Sequence, residues 1–387
     1  MLAGVCSFFF MLEKKTGWKI FNFFPPLIFI YMIPAVLSNT GVMTNDSPVY
    51  GWMSDLLLPL FLTIMLLDVD VKGAVRVMGR GVFVMLLGTV GVIVGAPIGY
   101  FCVKSALDPE AWRGFGTLAG SWIGGTGNMA AVNEALKTIQ GVDPSIAEQI
   151  AAKNYGLAAI ADNMVYLIWL PIMLGSKNLA KRFNKFIGVS QKRLDDMHAA
   201  AGELSTDKGK VEMRHILYLI FFGLAVTFVA SSLAGVLPTK SPILTASTWK
   251  ILLVTSLALL LSLTRARKIP GSHPLAMALV YLFVAKMGGS ADISGLAEDA
   301  PWFVAGAYIW IFIHGVFCLL GAKIFKVDVH TVAIASAANI GGAASAPIVA
   351  AYHNEALVPV SILMALMGYA IGNYGALAAA WLCSLVA

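Results

Sequence analysis

The sequence predicts an all-α polytopic membrane protein of about ten transmembrane helices. They form two inverted-topology five-helix repeats, each with a glycine-tipped re-entrant hairpin. Three observations lead there. The chain is 58% hydrophobic and only 12% charged, against about 25% charged residues in an ordinary soluble domain, so lipid replaces water over most of its surface. Its charges fall in gaps between apolar runs, many of them near the ~20 residues that cross a bilayer. Two glycine-rich interruptions, Ile123-Gly124-Gly125-Thr126-Gly127-Asn128 and Asn339-Ile340-Gly341-Gly342-Ala343-Ala344-Ser345, occupy equivalent places in the two halves.

Taken in order, the first apolar run, 1–12, is too short to cross. It lacks the basic start and small-residue cleavage site of a signal peptide. It fits a chain that begins inside a longer native helix, or a tilted span in a thin bilayer. Runs 24–42, 49–67 and 81–103 follow as spans. The segment 112–139 has two apolar arms of about ten residues, half a span each, around the first glycine cluster. Glycine costs helix about 1 kcal/mol per residue relative to alanine, so the simplest structure is a hairpin that enters partway and returns. Asn128 is placed to cap the returning arm. Run 146–174 closes the first half.

The one long polar stretch, 176–214, mixes both signs and reads as a solvated cytoplasmic linker. Runs 216–237, 249–263, 273–286 and 302–324 follow it. The second broken segment, 327–354, has Ser345 to cap its returning arm and Pro347 in the first turn. Run 357–386 is the last. The units are thus 1–175 with a hairpin at 112–139, the linker 176–214, and 215–387 with a hairpin at 327–354.

Basic residues orient the chain. With the N-terminus outside, Lys14, Lys15, Lys19, Lys72, Arg76, Arg80, the basic residues of the linker, Arg265, Arg267, Lys268, Lys323 and Lys326 all fall on the cytoplasmic side. The loops 41–50 and 288–301 then lie outside and hold no lysine or arginine. The formal charge of +6 is therefore topological and does not point to nucleic acid. The first hairpin enters from outside and the second from inside.

Five crossings per half, an odd number, invert the second half. Internal similarity agrees. Asp70-Val71-Lys72-Gly73 matches Asp292-Ile293-Ser294-Gly295, and the glycine clusters match each other. Asn154-Tyr155-Gly156 matches Asn373-Tyr374-Gly375, although a rival register sets Asp162-Asn163 beside Gly372-Asn373. The sequence does not choose between the last two. Similar offsets in the same order are the mark of many secondary transporters.

Two tips meeting near the midplane would offer free N–H groups to an anion. Carbonyls with Asn and Ser side chains would suit a small cation such as Na⁺. The substrate-binding candidates are Gly124, Gly125, Asn128, Asn339, Gly341, Gly342 and Ser345. The cation-binding candidates are Ser121, Asp162, Asn163, Ser336 and Asn373. An intramembrane carboxylate such as Asp162 usually lines an ion or substrate path; the alternative is a structural hydrogen bond to the hairpin. The glycine pairs have their own alternative, close helix packing.

Lys153 lies roughly opposite Asp162 at about 100° per residue, and either meets a substrate carboxylate or snorkels. Lys286 is expected to snorkel and His314 to be neutral and hydrogen-bonded. Asn133 and Glu134 face the pathway or the mouth. Trp18, Trp52, Trp112, Trp249 and Trp302 read as interfacial anchors.

No phosphate loop, His-Glu-x-x-His or Gly-x-Ser-x-Gly is present, and the four cysteines are scattered without metal-ligand spacing. The expectation is therefore no enzyme, no cofactor and no transition-metal site, with Na⁺ or H⁺ as coupling ion.

The tips Ile123-Gly124-Gly125 and Ile340-Gly341-Gly342, the Asp162-Asn163 helix and the closing Gly368-Tyr369-Ala370-Ile371-Gly372 resemble a bacterial membrane family known as domain of unknown function eight-one-nine, over nearly the whole chain. More distantly, the layout is similar to the sodium–citrate (2-hydroxycarboxylate) and sodium–glutamate symporters. That resemblance implies an elevator-type mechanism, Na⁺ coupling and a homodimer. No counterpart of their carboxylate-binding arginine is visible here.

The expected function is Na⁺-coupled symport of a small organic anion or amino-acid-like solute. The alternatives are a cation/proton antiporter using Asp162 and, from another class, a non-transporting receptor or intramembrane enzyme. Membrane lipid and a small-molecule substrate are the expected partners. The expected location is the bacterial inner membrane, with the N-terminus outside and the central loop cytoplasmic.

Overall fold

The apolar runs fold as helices, several of them opened by a capping side chain or a proline. The computed structural model describes residues 1–387 except 19, 24, 71–72, 74–78, 190–208, 294 and 355–356. Lys19, Lys72, Arg76, Ser294 and residues 190–208 of the expected linker therefore lie outside the described residues. Helix α1 is Leu2–Thr16, α2 Pro26–Asn39, α3 Pro48–Leu66, α4 Gly81–Val103, α5 Ala111–Leu136, α6 Pro144–Gly175 and α7 Ala180–Ile187. The second half continues with α8 Met213–Ala234, α9 Ala246–Ser262, α10 Ser272–Ser290, α11 Leu296–Phe325, α12 Val329–Ile340, α13 Gly342–His353 and α14 Val358–Leu385. Ser47 and Asp143 accept from backbone N–H groups at the starts of α3 and α6, each with proline at the first helical position. Asp328 caps α12 through the N–H groups of His330 and Thr331. These side chains satisfy donors that a helix start leaves open. Among the described residues the β pairing is a single bridge, Lys240 to Leu244.

This is a membrane protein with several apolar helices. Among the described residues six are long and apolar enough to cross a bilayer: α3, α4, α6, α8, α11 and α14. Of the other expected spans, α10 has 19 residues, as many as α3. Helices α2 and α9 have 14 and 17 residues, and at 1.5 Å rise they fall below the ~30 Å hydrocarbon thickness.

The helices sort into two groups. Helices α1, α2, α3, α8, α9 and α10 pack mainly among themselves, as do α4, α5, α6, α11, α12, α13 and α14. Each half supplies its first three helices to one group and the rest to the other. In the second group α4 and α11 cross face to face through Gly88, Gly91, Gly95 and Gly99. A Cβ on Gly91 would stand 2.7 Å from Phe317, and one on Gly99 would strike the Gly306 carbonyl. Small residues at this spacing let two backbones approach where no hydrophobic force drives helices together.

The basic loops share one end. Arg80 donates to the Phe325 carbonyl at 3.3 Å, Arg267 pairs with Asp70, and Lys323 donates to the Phe186 carbonyl at 3.0 Å. This is the clustering that the charge pattern predicts.

Candidate functional site

Glycine without a Cβ can reverse a helix within one residue, and both glycine clusters do so. In α5 the reversal is at Gly125, with φ 73° and ψ −174°. Its two arms lie antiparallel. Thr117 Oγ1 donates to Asn133 Oδ1 at 3.1 Å, Arg113 Nη1 donates to the Leu136 carbonyl at 2.5 Å, and a Cβ on Gly120 would stand 2.9 Å from the Asn128 carbonyl oxygen. In an unbroken helix Arg113 and Leu136 would be roughly 35 Å apart. The second break is at Gly341–Gly342, between α12 and α13, with Gly342 at φ 57°.

The two hairpins open at opposite ends and meet at their tips. The mouth of the first is tied by Arg113 to Glu110 and by the Thr248 hydroxyl to the Ala135 carbonyl at 3.2 Å. The mouth of the second lies at the basic end, where His353 Nε2 bonds the Met173 carbonyl at 2.9 Å and Asn184 Oδ1 accepts from the Val329 N–H at 3.1 Å. At the tips a Cβ on Gly342 would lie 3.7 Å from Gly125 Cα.

Helix α6 flanks this contact with Asp162 and Tyr166, one turn apart on one face. The Asp162 carboxylate accepts from Ser121 Oγ at 2.8 Å and from Trp122 Nε1 at 2.9 Å, both on the entering arm of the first hairpin. The Tyr166 ring approaches Gly341 of the second, where a Cβ would stand 3.0 Å away. One face of α6 thus touches both hairpins. Among the described residues no lysine, arginine or histidine forms an ion pair with Asp162. Asp162, Asn163, Tyr166, Gly125, Thr126, Gly341, Ala343 and Ser345 all retain partial exposure.

On the other side, α14 lays Gly368 against the Ile123 carbonyl and Gly372 against Asn128 and Gly124. The Tyr369 ring lies 3.3 Å from where a Gly125 Cβ would be.

The other expected residues divide. Asn128 is fully buried inside the returning arm and does not cap it. Its amide donates to the Tyr369 carbonyl at 3.1 Å, and its Oδ1 has no partner. Ser345 does not cap α13 either, because that helix starts three residues earlier, at Gly342, and has no side-chain cap; Pro347 lies in its interior. Asn339 is turned to α4, donating to the Met85 carbonyl at 3.1 Å and accepting from Thr89 at 3.4 Å. Ser336 accepts from Trp169 Nε1 at 2.9 Å and bonds His314 Nε2 at 3.0 Å. His314 Nδ1 faces the Gly88 carbonyl at 2.9 Å. Since that carbonyl can only accept, Nδ1 carries the hydrogen, which fits a neutral ring. Asn163 donates to the Ala159 carbonyl of its own helix at 2.7 Å, and Asn373 donates to Thr255 on α9 at 2.8 Å with its Oδ1 unpartnered.

Lys286 does not snorkel. It is fully buried, pairs with Glu148 and donates to Ser54 at 3.0 Å. Ser54 in turn donates to Glu134 Oε2 at 3.0 Å, and Glu134 pairs with Lys137. Lys153 is held by Asp299 at 2.7 Å and by Asp108 at 3.8 Å, so it does not turn toward the tips. Asn133 bonds Thr117 within the hairpin. An open groove of about 400 Å³ between the 240–244 loop and Leu377, Ala378 and Trp381 is mostly apolar and includes none of the tip residues.

Sequence reasoning passed over Tyr166, Trp122 and Thr255. Tyr166 had a signal, its one-turn spacing from Asp162. Thr255 had none, because nothing local announces a partner more than a hundred residues away.

A family model described as "Protein of unknown function (DUF819)" matches residues 1–385. A protein of Bacillus subtilis (strain 168), described as "Uncharacterized membrane protein YjcL", is 25% identical over 348 residues, covering 88% of this chain and 85% of that protein.

Proposed function

We propose that this chain, which belongs to the family described as "Protein of unknown function (DUF819)", is a secondary carrier that binds a small solute and a coupling cation where its two hairpin tips meet. The observation that carries the reading is the Asp162 carboxylate. It stands beside a glycine-to-glycine contact of two helix reversals and has no cationic partner among the described residues. A carboxylate at membrane depth is costly unless an ion, a proton or a substrate shares its charge. Ser121, bonded to that carboxylate, and Asn163, its neighbour on α6, add oxygens of the kind a small cation takes; Asn373 is turned to Thr255 on α9.

The hairpins are re-entrant in this reading, entering from opposite faces of the inner membrane, with the basic end cytoplasmic. Two features support an inverted repeat. The element order runs twice, and Tyr155 and Tyr374 each meet the second helix of their own half, at Tyr31 and Ser256. That pairing favours the register aligning Asn154-Tyr155-Gly156 with Asn373-Tyr374-Gly375. Both hairpins belong to one helix group, which supports an elevator motion of that group against α1–α3 and α8–α10, as in the sodium–citrate layout.

The test is uptake into proteoliposomes under an imposed Na⁺ gradient. Gradient-driven accumulation of a solute, lost in Asp162→Asn while thermal stability is kept, is the expected result. No uptake from a broad carboxylate and amino-acid panel would defeat Na⁺ coupling. The same lack of a basic partner also admits Na⁺/H⁺ exchange at Asp162. In that case a pH dye would report proton release on adding Na⁺, without any organic solute.

A further inference from the structure

We infer that the transported solute is a net-neutral zwitterion of the amino-acid class and not an organic anion; this rests on the carrier reading above. The argument is a census of charge around the tips. A solute anion with no fixed cation to meet it brings uncompensated charge into the site, and among the described residues the cations within this bundle are already committed. Lys286 is bound by Glu148 and Ser54. Lys137 is shared by Glu134 and Glu148, and Lys153 is held by Asp299 and Asp108. Arg113 is tied to Glu110 and to the Leu136 carbonyl at the far mouth of its hairpin. Lys250 pairs with Asp55, and Lys104 donates to the Val386 carbonyl at 2.5 Å. His314 spans Gly88 and Ser336.

What the tips do present is of the opposite character. Among the described residues Asp162 is a carboxylate without a cationic partner, and Asn128 Oδ1, three residues past the Gly125 reversal, is an acceptor without a donor on a fully buried side chain. A coupling cation brings Asp162 to zero. A solute anion added to that neutral site would leave an unmet negative charge in a low-dielectric interior, where an unpaired ion is very costly. A zwitterion adds no net charge. Its ammonium meets Asp162 and Asn128 Oδ1, and its carboxylate meets N–H groups that open α13, where the preceding Gly341 has no capping side chain.

The experiment uses the wild-type protein in proteoliposomes with an imposed Na⁺ or proton gradient. Three probe sets of similar size are compared: neutral amino acids, mono- and dicarboxylates, and cationic amines. Binding to the purified protein is read in parallel as a shift in thermal stability. The expected result is uptake of at least one neutral amino acid at a rate about tenfold or more above any carboxylate, with a matching stability shift and net inward positive current. Preference for carboxylates or for cationic amines would overturn the zwitterion assignment and leave the carrier reading standing. If no set is bound or moved under either gradient, the carrier reading fails and this inference falls with it.

Discussion

Gly125 and Gly342 hold φ values of 73° and 57°, a region that costs an L-residue about 1–2 kcal/mol. A β-branched side chain is the worst occupant. At Gly125 it would also press on Tyr369 and on the facing tip. Gly125→Val should therefore abolish uptake and lower stability by about 2 kcal/mol, read as a shift in the melting curve of the detergent-solubilised protein. Uptake at the wild-type rate would mean that the tip contact is not part of the pathway. Asp162 differs in kind, since its two hydrogen-bond donors hold its orientation and leave its charge unmet.

Helices α4 and α11 pack through a glycine face, so their separation is set by the absence of side chains. At Gly95 a Cβ would run into the Trp310 ring, whose Nε1 donates to the Val92 carbonyl at 2.7 Å. Gly95→Leu should destabilise by about 1–3 kcal/mol through overpacking, with a lower yield of monodisperse protein on size-exclusion chromatography. A neutral effect would show that the two helices can part freely. Helix α10 brings Lys286 into the bundle, against Ser54 of α3 and Glu148 of α6. Lys286→Met leaves Glu148 only its longer 3.5 Å pairing with Lys137 and should cost about 3 kcal/mol. Adding Glu148→Gln should recover most of that loss; if the double variant melts as low as the single one, the pair is not what the lysine contributes.

The molecule divides into a group that holds both hairpins and a group that does not, and polar bonds cross the seam. Asn373 to Thr255 at 2.8 Å and Tyr374 to Ser256 at 2.7 Å join α14 to α9, and the Tyr31 hydroxyl donates to the Ala152 carbonyl at 2.9 Å to join α2 to α6. An elevator cycle must break them. Ser256→Cys with Tyr374→Cys, in a background lacking the four native cysteines, gives a pair that a short reversible thiol reagent can bridge. Bridging should stop uptake and reduction should restore it. Full uptake with the bridge complete would mean that the groups do not slide at this seam.

The amino-acid sequence by itself determined that the chain enters a membrane, which runs become helices, where two of them break and which loops cluster by charge. Hydrophobicity, the missing Cβ of glycine and like charge in loops are local properties, legible at 112–139 and 327–354 without any partner. Tertiary structure alone decided the company that each polar group keeps. Asn128, an N-cap by local rules, became a buried hydrogen-bond donor to α14. Lys286, expected at the surface, became a buried ion-pair member. Asn339, placed beside a tip, turned to α4. Each outcome depends on a group more than a hundred residues away in the chain, with the exception of none of these three, and a contact at that separation leaves no trace in the local pattern.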